Sequence, residues 1–129
     1  MLIKIKRLLG CKRSIEAERR ELHRQLNDDR YKSNDAIKMR MMKLDEQLSL
    51  INLLFCLLKE DEAFVIQRHI VDGIDWPRVK VEFAEKWGVD FSKTIRTFKN
   101  YQRNALGKME KFIILQKETM GIDYESKLE

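Results

Sequence analysis

One proline, Pro77, and five glycines are spread over 129 residues. A fold of many short strands needs turn-formers at nearly every connection, so this shortage argues against a β-sandwich or barrel. The two cysteines lie far apart. Cys56 falls in an apolar stretch and reads as a small buried hydrophobe, whereas Cys11 lies among basic residues, which makes a thiol more reactive. There is no CxxC, and the cysteines show no metal-ligand spacing with His23 and His69, so neither metal nor cofactor is expected. The longest apolar run, Leu48 to Leu58, is broken by Ser49 and Asn52 and is too short to span a bilayer. Met1 to Leu9 alternates apolar and basic residues and lacks the apolar centre and cleavage site of a secretory signal. No Gly-rich phosphate loop or paired nucleophile and base occurs, so catalysis is not expected.

What is abundant is charge, 36% of residues, alongside 43% hydrophobic residues, enough to build a core. The expectation is an all-α, soluble, intracellular protein. The formal charge of +5 is unevenly distributed. Residues 1–32 hold 10 basic and 5 acidic side chains, residues 33–91 hold 8 and 11, residues 92–115 hold 6 and 1, and residues 116–129 hold 2 and 4. Positive charge is therefore concentrated at the N-terminus and in one short stretch near the C-terminus, and such local patches matter more to an anionic partner than the total.

Periodicity divides the chain further. Ser14 reads as the cap of a helix running to about Leu26, with Ile15, Leu22 and Leu26 on one stripe. The role of Met1 to Arg13 stays open: a DNA-contacting arm, a partner-binding piece or a flexible segment. Asn27-Asp28-Asp29 is a break, and Asn34 or Asp35 starts a second helix. In it Ile37, Met41, Leu44, Leu48, Ile51, Phe55 and Leu58 alternate spacings of four and three, the pattern of a coiled-coil seam. Leu50, Leu53, Leu54 and Leu57 add a second apolar face. One face is expected to pack within the chain and the seam to form a homodimer. The alternative is that both faces lie inside one monomer.

Glu60-Asp61-Glu62 opens a third helix with acidic groups at its positive end, and Gly73 stops it. Asp75 caps a fourth, whose apolar stripe is Trp76, Val79, Phe83, Ala84 and Trp87, and Gly88 ends it. Ser92 is expected to cap a fifth, burying Ile95, Phe98, Gln102 or Ala105, Met109 and Phe112. The expected organisation is a helical oligomerisation region over 1–58, a helix-turn-helix DNA-binding domain over 59–115, and an acidic tail over 116–129 that frays from about Gln116.

Two helices joined by a tight turn, the second basic on its outer side, match the helix-turn-helix arrangement. A helix fits the major groove, where Arg reads guanine and Asn reads adenine, while Lys and Arg neutralise phosphates. Ser92, Lys93, Thr94, Arg96, Thr97 and Asn100 fall at the helix start, where bases are read. Lys99 is on the same outer side, and Arg103 and Lys108 lie further along, towards phosphate.

The stretch from Leu58 to Phe112 resembles the sigma-factor region-4-like helix-turn-helix of phage transcription regulators, particularly the ArpU and RinA late-gene activator families. The matching elements are the acidic start and helix before Gly73, then Gly73-x-Asp75-Trp76 with Val79 beyond, Thr94-Ile95-Arg96, and Ala105-Leu106 on to Phe112. The spacing between Val79 and Ile95 is a few residues longer than the family's. The resemblance implies a sequence-specific regulator of phage or prophage late genes in the cytoplasm of a bacterial host, with double-stranded DNA and RNA polymerase as partners. Two other functions fit the same pattern: a small-terminase-like packaging protein and a helical protein-binding adaptor.

Overall fold

The computed structural model describes residues 1–28, 34–88 and 93–129, and no strand occurs among them. The N-terminal segment lies at the centre of the fold. Helix α1 (Leu2–Gly10) buries Ile5, Leu8 and Leu9 and turns Lys6 and Arg7 outward. The three buried positions follow the i, i+3, i+4 spacing of one helical face, which the interleaved lysines disguise as alternation. α1 packs on the helices Lys12–Leu26, Asp35–Phe55 and Ile95–Met120, on the π-helical stretch Ile66–Val71 and on the C-terminal turn Glu125–Leu128.

Only Cys11 separates α1 from α2 (Lys12–Leu26), so Ser14 sits inside the first turn of α2 and caps nothing. Helix α3 (Asp35–Phe55) starts where expected: the Asn34 Oδ1 accepts the Ile37 N–H at 3.2 Å. α2 lies along α3, held by a two-bond Arg40–Glu18 pair at 2.9 Å and by the Arg19–Asp45 pair.

The seam of α3 is filled by the chain itself. Leu44 and Ile51 are 0% exposed, and Leu48, Phe55 and Leu58 pack on the same core. Ile37 and Met41 are half-buried. Leu50 and Leu54, from the second face, are buried as well. Both faces of α3 thus pack within one chain, against α2, α1 and the C-terminal turn, while Leu53 of the second face stays exposed. Leu44 and Ile51 have no surface left to offer a second copy. Cys56 is exposed, contrary to expectation, because it falls at the C-cap of α3, past the last inward turn.

Helix α4 (Glu60–Val65) continues without a break as a π-helical stretch (Ile66–Val71), and Gly73 at φ 69° turns the chain into α5 (Trp76–Trp87). Helix α6 (Ile95–Met120) is the longest element, at 26 residues. It does not fray at Gln116. It ends at Gly121, φ 67°, and a 3₁₀ turn (Glu125–Leu128) then folds back on the body. That turn buries Leu128 and stacks Tyr124 on Phe112, ring centroids 5.8 Å apart. Residues 116–129 are therefore packed structure in place of a loose tail. The large aliphatic core also joins both sides of residue 58, since Ile66, Ala105, Leu106, Met109 and Ile113 pack with Ile5, Leu9, Leu44 and Ile51. No helix among the described residues is long and apolar enough to cross a membrane.

Candidate nucleic-acid interface

The front of α6 rests on a second, smaller core built from rings. Asp75 caps α5 by accepting the Arg78 N–H at 3.1 Å, with Pro77 in the first turn where its missing N–H costs nothing. The cap sets the register of α5, so Val79, Phe83 and Ala84 point inward. Phe83 then touches Trp87 at 4.3 Å, Phe98 at 5.0 Å and Phe64 at 5.9 Å between centroids, and Phe98 meets Tyr101 edge-on at 6.1 Å. Tilted and edge-on pairs of this kind add to the area they bury. Gly88, at φ 63°, closes α5.

Polar ties hold α5 to the preceding segment. Arg68 binds Glu82 through two nitrogens, at 2.7 and 2.8 Å, and reaches Asp72 at 2.8 Å, while Arg78 adds a 3.3 Å bond to Glu82. The Arg68 guanidinium holds the Glu82 carboxyl below the ordinary carboxylate range, against the opposing pull of desolvation. Asp72 also pairs with Arg13 from α2. His69 lies flat on Trp76, centroids 3.7 Å apart, with its Nδ1 2.8 Å from the Ile74 carbonyl, a packing role.

On this platform α6 begins at Ile95, with Thr94 in the N-cap position and its side chain 3.4 Å from the Thr97 hydroxyl. Arg96, Lys99, Asn100 and Arg103 are all exposed on one outward stripe, and Thr97 is half-buried beside it. Among the described residues none of the stripe's three cations forms an ion pair. Two residues expected to contact DNA are turned elsewhere. The Lys93 Nζ donates to the Tyr101 hydroxyl at 3.0 Å and lies 4.9 Å from the Phe83 centroid, so it covers the aromatic core. The Lys108 Nζ donates to the buried Glu62 carboxylate at 2.6 Å, so its charge is paired within the chain. Lys108 follows Arg103 by five positions, one step off the stripe. Ser92 lies outside the described residues.

The stripe continues through residues that composition alone passes over. Asn104, Gly107 and Lys111 are exposed further along the same side of α6. With Lys59, from the start of α4, they border an open groove of about 430 Å³ that Arg103, Lys108 and Glu62 complete. Lys111 was recoverable from the helical period, eight residues beyond Arg103. Lys59 was not, since it reaches the groove only through the packing of α4 on α6.

No protein-family model, no curated protein and no solved structure matches this chain.

Proposed function

We propose that the chain is a sequence-specific DNA-binding transcription regulator in which α5 and α6 act as a helix-turn-helix and the front of α6 enters the major groove. The observation that carries the reading is the stripe of Arg96, Lys99, Asn100 and Arg103: exposed, without an ion pair among the described residues, and backed by a ring-packed core that fixes its direction. Arg and Asn are the side chains that read guanine and adenine through paired hydrogen bonds, and the cations draw the helix towards phosphates. The likeness of residues 58–112 to phage late-gene regulators supplies the biological class, with bacterial RNA polymerase as a further partner. The proposed homodimer uses a surface other than Leu44 and Ile51, which are fully buried.

An anisotropy titration against salt tests this. Changing Arg96, Lys99 and Arg103 together to Ala is expected to weaken binding and to flatten the salt slope by about 2 to 3, at roughly 0.9 for each phosphate deprived of its cation. Unchanged affinity and slope in a folded triple variant would remove α6 from the interface. A ring of many subunits in solution, by mass, would favour a packaging protein over a regulator.

A further inference from the structure

The groove beside Gly107 lies between the start of α4 and the middle of α6 and is open to solvent. Its rim carries Lys59, Arg103 and Lys111, all exposed and none in an ion pair with a described residue. Among the described residues its one carboxylate, Glu62, already accepts from Lys108 and from the Lys59 N–H at 3.0 Å. The open space is therefore faced by Arg103 and Lys111, unpaired among the described residues, and by Lys59, whose charge also acts on Glu62.

Gly107 is the second observation. It lies in the interior of α6, where glycine is a poor helix former. Its backbone does not adopt positive φ, and a Cβ placed on it would meet nothing within 4 Å. Neither conformation nor packing calls for glycine here. What its missing side chain does is let an outside group approach the helix backbone between Arg103 and Lys111.

Position along the helix points to the ligand. Gly107 follows Lys99 by eight residues, about 12 Å of helical rise. The major groove is about 8.5 Å deep, so an α6 that enters it by its N-terminal end, with the axis directed inward, holds the Gly107 groove at the level of the sugar-phosphate backbone. We infer that this groove seats a phosphodiester segment of the same duplex, gripped by Lys59, Arg103 and Lys111 and brought close by Gly107. The inference rests on the DNA-binding reading above, and it gives α4 a direct part in the interface.

The test uses the full chain with short duplexes of random sequence, titrated by anisotropy across a range of salt. A Lys59→Gln/Lys111→Gln variant is expected to bind every duplex on the order of tenfold more weakly near 0.1 M salt, with a slope shallower by about 1 to 2. Gly107→Leu is expected to bind several-fold more weakly while its melting temperature stays level or rises, since Leu is the better helix former. Should the double-lysine variant keep wild-type affinity and slope while Arg96→Ala/Lys99→Ala loses both, the groove inference falls and the DNA-binding reading stands. If the wild-type chain binds no duplex at low salt, both fall together.

Discussion

The molecule has two cores of unlike construction. The body is aliphatic: Ile5, Leu9, Leu44, Leu50, Ile51, Leu54, Met109 and Ile113 are all essentially inaccessible and form one continuous cluster drawn from both ends of the chain. The front is aromatic and thin, with Val65, Phe83 and Phe98 buried and Phe64, Trp76, Trp87 and Tyr101 half-covered around them. The body buries more area and so holds most of the stability. The front fixes the direction of one helix end with few, large, rigid side chains. Fold and candidate interface therefore depend on different residues, and they are expected to fail separately.

Phe98→Ala is the sharpest way to break that contrast. It removes a fully buried ring of the front, packed against Phe83 and Tyr101, and is expected to cost about 3–5 kcal/mol. Hydrogen exchange should show α5 and the first turns of α6 opening while α1 stays protected. Equal loss of protection in α1 would mean that the two cores unfold as one unit. Leu9→Ala, in the body, is expected to cost about 3 kcal/mol in denaturant unfolding and to lower protection throughout the chain. A near-neutral result would contradict the central place of α1. Asp75→Ala removes the cap that sets the register of α5 and should cost about 1 kcal/mol, with Asp75→Asn retaining most of the stability.

The smallest effect lies where the two cores meet. Burial pushes the Glu62 carboxyl up, but the Lys108 ammonium and the Lys59 N–H outweigh that and hold it below the ordinary carboxylate range. A carboxyl depressed in the folded state stabilises above its unfolded value, near 4.3, and that contribution is lost as pH falls through the folded value. Thermal melts from pH 6 downward should therefore show a stability loss of under about 1 kcal/mol from this pair, since Lys108 is partly solvated. The loss should be smaller in Glu62→Gln. An identical pH profile in the two proteins would show that the pair contributes nothing.

The caps and stops were legible because their signals are local. A short polar side chain at Asn34 or Asp75 caps within three residues, and Gly73 and Gly88 end their segments at positive φ. The alternating seam of α3 was equally visible, but periodicity says only that a face is buried, not by what, and α2 supplies the cover in the same chain. The N-terminal segment was obscured because Lys4 and Lys6 interrupt its apolar residues in a two-residue rhythm, although Ile5, Leu8 and Leu9 hold the helical spacing. Tyr124 and Leu128 are four apart and anchor the end of the chain, a signal hidden by the acidic residues around them. Within the candidate interface, the outward stripe followed from the period, whereas the inward turns of Lys93 and Lys108 depend on Tyr101 and Glu62, partners fixed only by tertiary packing.

The continuity of α6 has a mechanical consequence. Its 26 residues extend about 39 Å as one helix, with the first turns gripped by the aromatic core and the later turns by the aliphatic one. No linker intervenes between the two grips, so the shaft works as a ruler. Whatever docks on the body is held at a set distance and rotational phase from whatever the front of α6 engages. Inserting or deleting one residue in its middle would swing the two ends about 100° relative to each other.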